Sequence, residues 1–274
     1  MTAARASHAK SRNSDANLPW HRSHAVSTGA LLPSHQSTLN DCIVISDLHL
    51  FSQRSQADEH LPRIHAAVRS SRALVLAGDI VDFKWSRVGS IDDTADAARL
   101  WLEELLDQNP EGELHYLLGN HDHVPALITR LESLAADCPR FRWHPYHLRL
   151  GNAVFLHGDV SNPGMNQAKL HAYRERFGQL DQHASGMSHV YDLVLALRLN
   201  VFGTRLLYPH GTVMRRILRY LEEVGDELSL DVRNVYFGHT HRSLSGEEHG
   251  GVRFHNCGAP IRGHDFRIIT AELS

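Results

Sequence analysis

Short apolar runs recur along the chain, and segments of helical periodicity lie between the first three of them. The runs are Cys42 to Ser46, Ala73 to Ala77, Leu114 to Leu118, Ala153 to Leu156 and Asn234 to Phe237. Each has the length of a buried strand and is too short for a helix. Thr94 to Leu106, by contrast, sets Ala98, Leu102 and Leu105 on one helical face. This alternation predicts an α/β fold. Further along, Gly151-Asn152 and Gly250-Gly251 separate short strands as hairpin turns, so the sheet is expected to be mixed.

Between His157 and Gly238 the pattern turns helical over a stretch longer than a sheet connection needs. Val190, Leu193, Val194 and Leu197 form one apolar stripe, which Pro209 and Gly211 interrupt. Thr212 is expected to cap a further helix carrying Val213, Ile217, Leu221 and Val224. An inserted helical cap at about 165–230 is therefore expected within a domain spanning 39–274. Residues 1–38 contrast with that domain: they are rich in Ser, Ala, Arg and His, hold one acidic residue, Asp15, and carry few large apolar side chains. A disordered tail is expected there.

Composition narrows the function classes. The formal net charge is -3 and the pI about 6.7, which gives no broad basic field for a nucleic-acid backbone, so no long nucleic-acid partner is expected. No apolar run approaches the ~18 residues of a membrane span. The expectation is a cytoplasmic protein, with peripheral membrane contact as an option and the oligomeric state open. Cys42, Cys138 and Cys257 are far apart, which argues against a disulfide framework or a thiolate metal site. Histidine stands out at 22 copies, and imidazole is the commonest transition-metal ligand.

The chemistry sits where the apolar runs end. Asp47-Leu48-His49 follows the first run, Gly78-Asp79-Ile80-Val81-Asp82 the second, and Gly119-Asn120-His121-Asp122 the third. His157-Gly158-Asp159 and Gly238-His239-Thr240-His241 follow the last two. In an open α/β sheet the carboxyl ends of neighbouring strands share one crevice, so these loops should converge. Residues i and i+2 in extended backbone lean toward one point, leaving Leu48 and Thr240 for packing.

This ordered set resembles the calcineurin-like metallophosphoesterase superfamily over roughly Asp41 to Pro260. The resemblance implies a four-layer αββα sandwich of two mixed sheets flanked by helices. It also implies two divalent transition metal ions, Mn, Fe, Zn or Co. Carried over by motif, Asp47, His49, Asp79 and His241 would hold the first ion, and Asp79, Asn120, His157 and His239 the second. A metal-bridging hydroxide would then be the nucleophile in hydrolysis of a phosphoester or pyrophosphate bond. His121 would act as general acid, with Asp122 setting its tautomer, while Asp82 and Asp159 would orient ligands.

Arg215, Arg216 and Arg219 are candidates for binding an acidic substrate or a membrane surface. The substrate is expected to be a phosphorylated small molecule, a nucleotide or a lipid-linked compound. The insertion, Asp47-Leu48-His49-Leu50 and Gly-His-Thr-His-Arg are similar to the bacterial UDP-2,3-diacylglucosamine hydrolases. That branch carries Arg where this chain has His121. His255-Asn256-Cys257-Gly258-Ala259-Pro260 likewise departs from the Asn-x-Gly-Ser of related phosphodiesterases. The rival reading is an inactive metal-binding interaction scaffold of the same fold, which typically loses ligands or the catalytic His; here all those positions are filled.

Overall fold

A computed structural model describes residues 42–179, 208–225 and 230–273. The expected tail, and the stripe of Val190, Leu193, Val194 and Leu197, lie outside these residues. In the first sheet β1 (Cys42–Ile45), β2 (Ala73–Ala77), β3 (Glu113–Leu117) and β4 (Phe141–His144) run parallel, and β10 (Ile269–Ala271) pairs antiparallel with β1. The second sheet contains β5 (His147–Leu150), β6 (Ala153–Leu156), β7 (Asn234–Phe237), β8 (Leu244–His249) and β9 (Val252–Asn256), in the order β5-β6-β7-β9-β8. Here β6, β7 and β9 are parallel, and β5 and β8 run antiparallel to their neighbours.

Strand periodicity sorts the side chains between layers. Val44, Val75, Ala77 and Leu117 from the first sheet meet Leu148, Ala153, Phe155 and Tyr236 from the second in a core between the sheets. The alternate positions, such as Ile43, Leu74, Leu76 and Tyr116, face α1 (Ala57–Arg69), α2 (Ile91–Gln108) and α3 (Pro125–Asp137). On the other side Val154, Leu156, Val235, Phe237 and Phe254 pack with α4 (Gln167–Gly178) and α5 (His210–Val224). The result is the expected αββα sandwich of two mixed sheets. No helix among the described residues is long and apolar enough to cross a membrane. Cys42 and Cys257 are buried free thiols, and Cys138 is a free thiol at intermediate depth.

Two sequence expectations change. α5 was expected in an inserted cap, but its Val213, Ile217 and Leu221 stripe is the outer layer over the second sheet. β6 and β7 are adjacent and parallel, and parallel neighbours need a crossover, usually a helix. The same helix begins at His210 after Pro209, so Thr212 lies inside its first turn and does not cap it. β4 and β10 were not anticipated from the sequence, whereas α4 falls inside the helical stretch expected at about 165–230 and, like α5, packs on the second sheet through Leu170.

The parallel strands bring their carboxyl ends to one edge, and the loops leaving them stay zipped together. Asp47 N donates to Gly78 O at 3.0 Å and His49 N to Asp79 O at 3.0 Å; across the second sheet Gly238 N donates to His157 O at 2.7 Å. The sheets are tied to each other where His239 N donates to Asp47 Oδ1 at 2.8 Å.

Candidate metal centre

Those loops adopt a backbone that the sequence reading did not foresee. Asp47, His49, Asp79, His239 and His241 all have positive φ, between 46° and 66°. The expected extended i, i+2 geometry is therefore incorrect for the Asp-x-His and His-x-His pairs. A left-handed non-glycine residue costs on the order of 1–3 kcal/mol and persists where surrounding structure holds it, as the zipped loop backbones do here. Gly119 reflects the same crowding, since a β-carbon there would strike Asp79 Oδ1.

The candidate ligands gather in two adjoining groups. In the first, donor atoms of Asp47, His49 and His241 lie within 4.8 Å of one another. His49 Nε2 faces His241 Nε2 at 3.1 Å, and His241 Nε2 is 3.5 Å from Asp47 Oδ1. Asp47 Oδ2 and His49 Nδ1 are buried and lack a hydrogen-bond partner among the described residues. Buried polar atoms without partners are costly, and an array of converging imidazole nitrogens and carboxylate oxygens fits a divalent transition cation.

The second group brings together Asp79, His157 and His239, with the amide of Asn120 among them. His157 Nε2 is 3.2 Å from Asp79 Oδ2 and 3.3 Å from Asn120 Oδ1, and His239 Nδ1 is 3.1 Å from the same Asn120 oxygen. Both rings are fixed from behind. His157 Nδ1 donates to Ala77 O at 3.3 Å, while His239 Nε2 donates to Asn162 Oδ1 at 3.3 Å. Asn162 also accepts from the Tyr208 hydroxyl at 3.0 Å. Sequence reasoning missed both residues, because an Asn before a Pro reads as a turn.

Charge within this cluster is strongly redistributed. Burial would lower His157, but the carboxylates of Asp79, Asp159 and Asp47 outweigh it and hold the imidazole up at about 10. Burial raises Asp47 to about 7. Burial, with neighbouring imidazoles, lowers His49 and His239 to about 4 each. Asp79 stays well below the usual carboxylate range: desolvation opposes this, but His157 and His121 prevail. Near neutral pH the pair is thus His157 imidazolium with Asp79 carboxylate. A ligand must shed its proton to coordinate, so cation uptake should release protons and affinity should rise with pH up to about 10. Calorimetric titration in buffers of different ionisation enthalpy checks this; uptake without proton release would contradict the assignment of His157.

His121 stands at the edge of the cluster, its ring 4.8 Å from that of His49. Its expected partner was Asp122, and that is incorrect. Asp122 accepts from Tyr116 OH at 2.8 Å, from Ile80 N at 3.0 Å and from Gly119 N, so it pins the Gly119–Asp122 turn onto the Asp79 loop. The acid beside His121 is Asp82, whose Oδ1 is 3.2 Å from His121 Nδ1 and also accepts from Lys84 N and Trp85 N. Burial would lower His121, but Asp82 and Asp79 outweigh it and raise the ring to about 9. His49, Asp82 and His121 form a third grouping of donor atoms, sharing His49 with the first.

Among the described residues Asp159 makes no hydrogen bond to a ligand side chain. It forms a two-pronged pair with Arg174 of α4 at 2.7 and 2.8 Å, both residues fully buried. Removing one partner of such a pair costs about 3–5 kcal/mol. Asp159→Asn should therefore lower Tm by roughly 10 °C, read by thermal denaturation; an unchanged Tm would show that the pair is expendable. The three candidate arginines are not one patch either. Arg215 and Arg219 are exposed, whereas Arg216 turns inward and donates to Ser161 O at 2.8 Å.

Residues 42–243 match the family model described as calcineurin-like phosphoesterase. Among solved structures the chain is similar to a dimetal phosphatase from Danio rerio, at 15% identity over 81% of this chain and 88% of that chain, with a TM-score of 0.42. No curated protein matches the sequence.

Proposed function

Because this chain belongs to the calcineurin-like phosphoesterase family, and is on that ground a metal-dependent phosphoesterase, we propose that it hydrolyses a phosphoester or pyrophosphate bond with His121 as general acid. Asp47, His49, Asp79 and His241 would hold one divalent cation, and Asp79, Asn120, His157 and His239 a second. When bound, such cations acidify the attacking water and offset charge on the phosphoryl oxygens. The chain's own residues supply the rest. Asp82 fixes Nδ1 of His121, which leaves Nε2 as the atom that protonates the leaving oxygen. Asp122 and Tyr116 hold the turn that carries His121 and Asn120.

The observation that carries this reading is the state of His121. Its ring is partly open, at 19% side-chain exposure, its Nδ1 is anchored on Asp82, and Nε2 has no hydrogen-bond partner among the described residues. A binding scaffold has no use for an imidazole tuned to carry a proton. Within the family, the likeness to UDP-2,3-diacylglucosamine hydrolases rests on the Asp47–Leu50 and Gly238–Arg242 stretches and on the long helix-patterned sequence between His157 and Gly238. His121 in place of Arg sets the chain apart, as a phosphoesterase that would use a His acid on a phosphorylated small molecule, nucleotide or lipid-linked substrate.

The test is a panel of p-nitrophenyl phosphate, its bis ester, cyclic nucleotides and UDP-sugar lipids, assayed after chelation and after return of Mn, Fe, Co or Zn. Turnover that chelation removes and a transition cation restores is expected. Cation-loaded protein inert toward every ester would favour the scaffold.

A further inference from the structure

The two imidazoles proposed for the second cation are backed in different ways. His157 leans on a main-chain oxygen, that of Ala77. His239 leans on side chains: its Nε2 lies 3.3 Å from Asn162 Oδ1 and 3.5 Å from the Tyr208 hydroxyl, whose ring stands edge-on to the imidazole at 5.6 Å, centroid to centroid. The Tyr208 hydroxyl donates its one proton to Asn162 Oδ1 at 3.0 Å, so what it offers His239 is a lone pair. The Asn162 side chain is also hydrogen-bonded to the Tyr173 hydroxyl of α4. Arginines fix the backbone that carries the pair. Arg216 of α5 donates to Ser161 O at 2.8 Å, one residue before Asn162, and Arg242, which follows His241, donates to Tyr208 O at 2.7 Å.

We propose that Asn162 and Tyr208 are positioning residues that make His239 a ligand of the second cation and set how tightly that cation is held. The inference rests on the two-cation reading. A neutral imidazole carries one proton, and the nitrogen without it is the one that coordinates. Nδ1 of His239 faces the cluster, 3.1 Å from Asn120 Oδ1. With Nε2 flanked by two oxygens acting as acceptors, the proton settles there, and Nδ1 turns its lone pair toward the Asn120 amide. Two acceptors then oppose each other at that 3.1 Å contact, an arrangement that a shared cation relieves. Without the pair, the same contact would favour the proton on Nδ1, donated to Asn120, and the ring would have to change tautomer before it could coordinate. Neither Asn162 nor Tyr208 hydrogen-bonds Asp47, His49 or His241 among the described residues, so the effect is confined to the second cation.

The test titrates the full chain, stripped by chelator, with Mn, and follows the two uptake steps by paramagnetic resonance and by competition with a chelating dye. Asn162→Leu, which keeps the bulk and removes the acceptor, should weaken the second step by about 10–100-fold and leave the first within a few-fold of wild type. Asn162→Asp, which keeps the acceptor, should hold the second cation at least as tightly as wild type. Tyr208→Phe, which leaves Asn162 in place, should give a smaller loss at the same step. In Zn-loaded wild type, nitrogen-15 resonances should show His239 protonated at Nε2. An unchanged second step in Asn162→Leu, equal loss in both steps, failure of Asp to restore the second, or a proton on Nδ1 would overturn the inference. A wild-type chain that takes up a single Mn would overturn the two-cation reading and this inference with it, whereas two Mn with an unchanged second step in Asn162→Leu would overturn this inference alone.

Discussion

Asp79→Asn is expected to abolish turnover and to leave at most one cation per chain. The carboxylate is the most committed group in the cluster: Oδ2 faces His157 Nε2 at 3.2 Å, and Oδ1 accepts from His121 N at 2.8 Å. The residue is buried and held at φ 52°. Asn preserves shape and one acceptor but removes the charge that offsets His157 and the single side chain proposed to serve both cations. Cation assistance in phosphoryl transfer contributes several kcal/mol, so the expected loss is on the order of 10³-fold or more. Steady-state kinetics with direct elemental analysis measure both effects. Near-normal turnover with two cations retained would remove Asp79 from the bridging position.

The second large effect is His121→Ala. It should lower turnover by ~10²–10⁴ on esters with poor leaving groups, and by much less on p-nitrophenyl esters, whose leaving group scarcely needs a proton. Cation content should stay near wild type, because His121 lies outside both proposed ligand sets. Asp82→Asn should reproduce part of the loss, since Asp82 holds Nδ1. Asp122→Asn should act through stability, since its carboxylate holds Gly119, Ile80 and Tyr116. Equal losses on good and poor leaving groups would refute general-acid catalysis, and loss of a cation in His121→Ala would instead make His121 a ligand with His49 and Asp82.

Much of this site was legible because short continuous apolar runs mark buried strands, and the polar residues ending those runs are forced to a common edge by parallel pairing. The αββα architecture came from the resemblance of the motif set, and the layers bear it out. Backbone conformation at the ligands was not legible: Asp and His seldom adopt positive φ, and only the zipped loops reveal why five of them do. Adjacency in sequence misled at Asp122, whose side chain points back under the turn, while Asp82 arrives from another loop. α5 misled for a different reason, since its apolar stripe looks the same on a cap or on a sheet. α4 gave no apolar stripe of its own because only Leu170 and Arg174 along it are buried, and the buried cation among them is matched by Asp159 across the fold. Asn162, Tyr116 and Tyr208 act on the site through contacts no local pattern records.

The central claim is a two-cation centre built on these loop residues, and anomalous diffraction at the absorption edge of the loaded transition metal tests it most directly. The account predicts two peaks, one among Asp47, His49 and His241, the other among Asn120, His157 and His239, with Asp79 reaching both. A single peak, or peaks displaced to other side chains, would contradict it.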